Sequence, residues 1–388
     1  MMTCILHLIV HEFSMGCLQS MSHRDMSKLI SRILFFREMA MDRNQRRFML
    51  SVLPRSVEPP PDAVEYMDLT RTQLLALLAS PPDPMLDVRQ RLFSGDNNMY
   101  EGRDVFSSLA DNRFQFFNYT GETPETLTQL MAEMNLNEQR SFRLSKINRT
   151  LLLVLWLRQY PTFSVLASMF GVSTASVRHE LSFLLLCVEN ATCHLVKWPS
   201  IDEWRARKGQ WGQLEAAVGA IDGTSHEIQR PMNEPQQQYY SGYRQYHCIH
   251  TQVVVDTDGT IRYVESGFMG HLNDAQQFNL MTQIGGPQLL FPGDCVLLGD
   301  KIYPNRHPLV TPFTSTQLRR QNGRERRKRA KFNSLVHRCR VTVEHSIAEM
   351  KCYKAVGSVW RQQRITLPRV VKICCALVIR RKQLNLIF

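Results

Sequence analysis

The sequence has no long hydrophobic run and no paired cysteine spacing, and both absences narrow the class of protein. The longest apolar run of note, TLLLVLWL at residues 150–157, is too short to span a bilayer. Ten cysteines are scattered without a CxxC pair or a zinc-type spacing, which favours reduced thiols over disulfides. The opening CILHLIV is too short for a signal peptide. We therefore expect a soluble intracellular protein with no membrane partner.

A composition typical of disorder is also missing, because 44% of the residues are hydrophobic and 21% are charged. The 388 residues are enough for two or three domains. Residues 1–140 carry 14 Lys and Arg against 18 Asp and Glu, whereas residues 141–388 carry 33 against 17. The second part therefore has a net charge of +16, and a polyanion is its natural partner.

The first 140 residues carry no motif that indicates a function, and we predict a poorly defined helical region there, with basic amphipathic helices before residue 50. From residue 141 to about 200 the apolar spacing predicts three helices. One ends at Gly171, and the next begins after Ser173 and Thr174, which are good N-cap residues.

This order of helix, glycine turn and helix is typical of a helix-turn-helix domain, although an ordinary three-helix subdomain shares the pattern. In a helix-turn-helix, the early polar residues of the second helix contact a DNA groove. The candidates here are Thr174, Ser176, Arg178 and His179.

The pattern changes between residues 212 and 300, where short apolar runs alternate with turns. AAVGAI, YHCIHTQVVVD, TIRYVESGF and CVLLGD predict strands, and NDAQQFNLMTQI predicts a helix before the last of them. Strand, strand, strand, helix, strand and a later helix form a mixed α/β plan with a central sheet.

Four acids are expected at one edge of this sheet. Asp222 is predicted to end the first strand, Asp274 to start the helix, and Asp300 to end CVLLGD, while Glu344 lies in a late helix. Carboxylates without a His or Cys set are the hard ligands that Mg²⁺ or Mn²⁺ prefers. Two such ions can activate a water and stabilise a leaving oxygen in phosphodiester chemistry. Any one of these acids alone is more often structural.

Two cations are expected beside Glu344 on the late helix. Arg340, Glu344 and Lys351 fall on one stripe because four and seven residues are both close to whole helical turns. Both cations are candidates for phosphate contacts, although Arg340 and Glu344 also fit a routine ion pair within the helix.

A strongly basic run occupies residues 318–331 and includes Arg324, Arg326, Arg327, Lys328 and Arg329. It fits a solvated loop or helix face, a phosphate-binding loop or a nuclear localisation patch. The sequence does not separate these alternatives.

Several segments in order resemble the DDE nuclease domain of PIF/Harbinger transposases and their domesticated relatives. They are GAIDGTSHEIQRP, YYSGYRQYHCIHTQVVVDTDGTIRYVESGFMGHLNDAQQF, LLGDKIYP and FNSLVHRCRVTVEHSIAEMK. The resemblance runs from about residue 144 to 375 and includes the helix-turn-helix segment. One departure is Asn273-Asp274-Ala275, where many relatives read His-Asp-Ser. The other departures are the stretch CCALVIRRKQL and the basic insertion, and together they leave room for a captured copy whose catalytic rate has decayed.

The resemblance implies an RNase H-like mixed sheet flanked by helices, preceded by the all-α region. It implies a DNA endonuclease that uses a divalent metal, with Asp222, Asp300 and Glu344 as catalytic residues and Asp274 as a further ligand. It also implies a location in the nucleus, with the cytoplasm as a second option. The expected partners are a Myb/SANT-like companion protein and a second copy of this chain in a homo-oligomer. The expected domains are helix-turn-helix at 141–200, endonuclease at 212–375 with a basic insertion at 318–331, and a C-terminal tail at 376–388. The alternative is a catalytically inactive domesticated transposase that binds DNA or recruits a partner in the nucleus. A metallophosphatase of small substrates would also fit the carboxylates, but it leaves the positive charge unexplained.

Overall fold

The computed structural model describes residues 102–136, 143–281 and 291–384. Most of the predicted helical region before residue 140, including its basic amphipathic helices, therefore lies outside the described residues. Within the described ranges, no helix is both long and apolar enough to cross a membrane, and every cysteine is a free thiol.

Helices form the first part of the described chain. They are α1 Val105–Ala110, α2 Arg113–Thr120, α3 Pro124–Glu133, α4 Lys146–Gln159, α5 Phe163–Phe170, α6 Thr174–Thr192 and α7 Ile201–Arg205. The central helix is α4, whose residues from Ile147 to Leu157 are all buried, and it packs on α2, α3 and α6. The helical region therefore begins well before residue 141, because α2 and α3 cover a helix that has no polar face in its middle.

The predicted helix, glycine turn and helix are present at the predicted residues. Gly171 ends α5 with a φ of 67°, in the left-handed region that glycine adopts at little cost. The side chain of Ser173 accepts a hydrogen bond from the Ser176 amide at 3.0 Å and starts α6. Val177, Leu181 and Leu184 then bury the inner face of α6.

The second part is a mixed sheet flanked by helices, as the sequence predicts. Its strands and short helices are β1 Ala217–Glu227, α8 Gln236–Tyr239, β2 Tyr240–Ser241, β3 Tyr246–Asp256, β4 Ile261–Met269, α9 Asp274–Leu280, β5 Val296–Leu298 and β6 Leu309–Val310. The C-terminal helices are α10 Ser315–Arg319, α11 Gly323–Lys351, α12 Lys354–Gly357 and α13 Leu367–Gln383. This arrangement is that of an RNase H-like fold.

The long strand β1 lies in the middle of the sheet. It pairs with β3 in the antiparallel direction and with β5 in the parallel direction. Strand β3 also pairs with β4, while the short β2 and β6 pair with β3 and β5. An apolar core between the sheet and α9 contains Ile221, Val254, Phe278 and Leu297. The helix α11 packs across β1, β3 and β5.

The first strand does not end at Asp222, contrary to the sequence-based expectation. The Gly223-Thr224 pair continues β1 opposite Gln252 and Thr251 of β3. Polar residues stay buried beyond this point because partners satisfy them: Ser225 shares a 2.8 Å hydrogen bond with the Tyr246 hydroxyl. The expected turn is therefore a continuous part of the central strand.

The expected C-terminal tail is also different, since residues 376–383 form the second half of α13. This helix is buried from Val370 to Arg380 apart from Lys372. Burial of Arg380 is possible because its guanidinium contacts Glu122 and Glu133 of the helical region, each at 3.1 Å. The end of the described chain therefore joins the helical region to the sheet.

Candidate active site

The four predicted acids lie on different elements around the middle of the sheet. Asp222 is central in β1, Asp274 is the first residue of α9, Asp300 follows β5 by two residues, and Glu344 lies on α11. Three of these placements agree with the sequence-based expectation, and Asp222 differs only in being inside its strand. The middle strand carries Asp222, so the acids from the neighbouring elements can approach it.

The guanidinium of Arg340 brings three of the acids together. One terminal nitrogen lies 3.2 Å from the Asp222 carboxylate, and the other lies 4.0 Å from both Asp300 and Glu344. The exposed fractions of these side chains rise from 9% for Arg340 to 45% for Glu344. The cation is therefore largely covered, while the last acid borders the solvent.

The carboxyl group of Asp222 is strongly perturbed by this setting. Burial raises its pKa to about 6, because the charged form loses hydration. Repulsion from Asp274 and Glu344 acts in the same direction, whereas Arg340 and the Gly223 amide lower the pKa. Burial and the neighbouring negative charges thus disfavour ionisation of Asp222 even with Arg340 beside it.

Asp274 does not touch Arg340 but lies against the next residue of the strand. A Cβ added at Gly223 would lie 2.0 Å from Asp274 Oδ1, so the absence of a side chain lets this acid approach the strand. The Gln252 amide nitrogen donates to the same oxygen at 3.1 Å. Asp274 therefore occupies a defined position beside Asp222.

Gln252, Gln277 and Tyr303 support the site, and the sequence reasoning missed them. The Gln252 amide nitrogen donates to the Gln277 side-chain oxygen at 2.7 Å. The hydroxyl of Tyr303 donates to the Gln252 oxygen at 2.5 Å. Tyr303 belongs to the same LLGDKIYP segment as Asp300, so that segment was an available signal. The network fixes the orientation of the amide that faces Asp274.

Lys351, which the sequence predicts as a DNA contact, is half-buried and reaches into the sheet. Its ammonium donates to the backbone oxygen of Ser225 at 3.0 Å. Burial lowers its pKa, and the nearby charge of Arg244 acts in the same direction. A helical stripe predicts the side of a helix but not how far the side chain reaches, and here it reaches into the sheet.

The predicted DNA contacts of the helix-turn-helix divide into two groups. Thr174, Arg178 and His179 are exposed on α6, and Arg178 lies over the Phe163 ring at 5.7 Å. Ser176 instead hydrogen-bonds the hydroxyl of Ser173 at 2.9 Å, which is part of the helix cap. Three of the four candidates thus lie on an accessible surface.

The basic run is helical from residue 323 onward, which excludes a phosphate-binding loop for that part. It forms the first turns of α11, the helix that also carries Glu344. Arg324, Arg326, Arg327 and Lys328 are exposed there. Arg329 is partly covered, with its guanidinium 4.6 Å from the centre of the Phe313 ring. A long helix therefore connects a cationic surface to the carboxylates.

The carboxylates fit a divalent cation by chemistry, since all are hard oxygen donors. In the described part of the chain, no three acidic, His or Cys side chains already form a group able to hold a metal ion. The Nε of Arg340 is buried without a hydrogen-bond partner among the described atoms. The donor set therefore suits Mg²⁺ or Mn²⁺, and the guanidinium occupies the space between the donors.

Comparison with known proteins agrees with this geometry. Residues 221–378 match the family described as DDE superfamily endonuclease, a range that includes all four acids. The chain is also similar to Protein ALP1-like of Arabidopsis thaliana, with 24% identity over 232 residues. That match covers 56% of this chain and only 55% of the relative's length. No solved structure matches the chain significantly. Residues 221–378 of this chain are therefore similar to the DDE superfamily endonuclease domain.

Proposed function

We propose that this protein is a transposase-derived nuclease of the PIF/Harbinger superfamily that cleaves DNA phosphodiester bonds with the help of divalent metal ions. One observation carries the proposal: Asp222, Asp300 and Glu344 come from three separate elements and lie around one buried guanidinium, within 4.0 Å of it. A structural ion pair needs one acid, whereas three acids with a fourth nearby are the donor set of a phosphodiester-cleaving centre.

In this proposal Asp222, Asp300 and Glu344, with Asp274 beside them, would hold Mg²⁺ or Mn²⁺. When bound, such ions would supply an activated water and stabilise the charge of the leaving oxygen. The rigid strand β1 positions Asp222, and the Gln252 amide positions Asp274 through its 3.1 Å hydrogen bond. Arg340 places a positive charge where the DNA backbone would approach the acids.

The substrate is proposed from charge. The exposed cations Arg324, Arg326, Arg327 and Lys328 lie on the helix that carries Glu344, so a DNA strand bound by them would be guided toward the acids. A second surface is offered by Thr174, Arg178 and His179 on α6. A nuclear location and a Myb/SANT-like companion protein remain proposals that rest on the resemblance alone.

A matched pair of variants on α11 tests the nuclease. Glu344→Gln removes one donor of the site and keeps the side-chain shape, so we expect metal-dependent nicking of plasmid DNA to fall by at least about 100-fold, as for one lost transition-state contact. Glu349→Gln changes an acid on the same helix that lies 3.4 Å from Lys382 instead, and we expect it to nick like the parent. Nicking by Glu344→Gln at the rate of the parent and of Glu349→Gln contradicts the assignment of Glu344.

A silent DNA-binding protein is the second candidate, and the exposed cations of α11 favour it equally. It predicts DNA binding that weakens steeply with salt but is independent of divalent ions. The four acids favour the nuclease, since binding a polyanion does not require them.

A further inference from the structure

The guanidinium of Arg340 is placed as an internal cation inside a cluster of acids. It lies 3.2 Å from Asp222 and 4.0 Å from Asp300 and Glu344. Its side chain is only 9% exposed. A positive charge in this position offsets part of the repulsion among three carboxylates that the fold holds together.

A routine helix ion pair does not explain this placement. Arg340 and Glu344 are four residues apart on α11, and such pairs on exposed helices are weak. Here, however, the shortest contact is to Asp222 on the sheet, and another reaches the segment after β5. Arg340 therefore connects three elements rather than two turns of one helix.

The same position conflicts with a divalent cation. Mg²⁺ takes its oxygen ligands at about 2.0–2.1 Å, so an ion held by Asp222 would lie within a few ångströms of the guanidinium that contacts the same carboxylate. Two cations this close in a partly covered site repel each other strongly. Metal binding therefore opposes the present position of Arg340, and each weakens the other.

We propose that Arg340 is a built-in counter-ion that keeps the acids assembled without metal and competes with divalent metal for them. This inference rests on the proposed function insofar as the acids are metal ligands. Arg340 is thus a positioning residue that sets the metal concentration at which the site fills. The phosphate contact that the sequence predicts for Arg340 requires its guanidinium to leave the carboxylates first.

The test compares Arg340→Gln with Arg338→Gln, a matched variant that loses the same charge from the same helix. Arg338 is exposed, so its loss changes the net charge without freeing the acids. Binding of Mn²⁺ to each purified protein is measured by calorimetry, and the melting temperature is recorded in EDTA and in saturating Mn²⁺. Neither readout requires cleavage.

We expect Arg340→Gln to bind Mn²⁺ at least about tenfold more tightly than the parent, as removing one close competing charge allows. In EDTA this variant melts at a lower temperature than the parent, because its acids are no longer compensated. Mn²⁺ raises its melting temperature by more than it raises that of the parent. Arg338→Gln matches the parent in affinity and in the Mn²⁺ shift.

Unchanged or weaker Mn²⁺ binding by Arg340→Gln overturns the inference, as does an equal loss of melting temperature in EDTA and in Mn²⁺, which is the sign of a purely structural residue. If Arg340→Gln does not fold in EDTA, Arg340→Lys is used. This variant keeps the positive charge on a compact ammonium that cannot reach three acids at once. Its Mn²⁺ affinity therefore lies between those of the parent and Arg340→Gln. An affinity equal to that of the parent counts against the inference.

Nicking assays on the same proteins separate this inference from the nuclease itself. Tighter Mn²⁺ binding by Arg340→Gln, with no nicking by any variant, supports the counter-ion and contradicts the nuclease. Nicking by the parent, with equal affinities, supports the nuclease and overturns the counter-ion. Absence of Mn²⁺ binding in every variant overturns the inference.

Discussion

Gly223 leaves no room for a side chain beside Asp274, and this predicts a sharp effect of Gly223→Ala. The added Cβ would lie 2.0 Å from Asp274 Oδ1 and 2.8 Å from the Gln252 amide nitrogen. The glutamine cannot easily move away, because its nitrogen donates to Gln277 and its oxygen accepts from Tyr303. Asp274 therefore has to retreat.

The size of the movement follows from the contact distance. An ordinary contact begins at 3.4 Å, so the carboxylate oxygen shifts by at least about 1.4 Å from its 2.0 Å position. Misplacement of a reacting group by about 1 Å costs on the order of 100-fold in rate. We expect Gly223→Ala to lower metal-dependent nicking by about that factor, while the sheet stays folded.

The assay is nicking of supercoiled plasmid in Mn²⁺, with circular dichroism and thermal melting to confirm the fold. Gly242→Ala is the control, since a Cβ there meets no described atom within 4 Å. If Gly223→Ala remains folded and nicks at the rate of Gly242→Ala, Asp274 does not act in the reaction. The close approach of Asp274 to the strand then has no functional meaning.

Two further predictions concern stability. Arg149 donates to the buried Glu180 at 2.6 Å, so Glu180→Leu lowers the free energy of unfolding in urea by about 3–5 kcal/mol, as for a broken buried pair; a loss below about 1 kcal/mol contradicts this. Burial lowers the pKa of His226 to about 4, so the unfolded chain takes up a proton from about pH 6.5 downward while the folded chain does not. Stability therefore falls between about pH 6.5 and 4, and His226→Gln, measured by urea unfolding across this range, shows a smaller fall; an equal fall refutes the role of His226.

Local patterns predict the strands and helices because their apolar residues repeat with the period of each element. The end of β1 could not be predicted in this way, because Thr224, Ser225 and His226 are polar and yet buried. Their partners are distant in the sequence: His226 bonds the backbone oxygen of Val356 and the hydroxyl of Thr251. A strand of this kind becomes visible only when its neighbours are in place.

The last helix shows the same limit for charge. Arg380 suggests a solvated tail when only its neighbours in the sequence are considered. In the structure it is buried between Glu122 and Glu133, which precede it by more than two hundred residues. A charged residue in a sequence indicates an exposed side chain only when the fold does not place a distant residue of opposite charge beside it.

Asp274 and Asp300 were predictable from local patterns because one starts a helix and the other follows a strand, whereas Asp222 and Glu344 lie inside their elements. The surroundings of the acids were not predictable, since Gln252 lies within an apolar strand and gives no local signal of its contact with Asp274. The role of Arg340 was predicted only as a helix neighbour of Glu344. Its contact with Asp222 depends on the packing of α11 across the sheet, which the sequence alone does not specify.

The most direct measurement is a Mn²⁺ titration of the purified protein with labelled duplex DNA, run in parallel with Asp222→Asn. This substitution keeps the shape of the side chain in the middle of β1 and removes its charge. We predict nicking that requires Mn²⁺ in the parent and is abolished in Asp222→Asn, with DNA binding retained by both. Nicking that persists in the variant, or DNA binding by the parent without any metal-dependent cleavage, contradicts the assignment of a nuclease centred on Asp222.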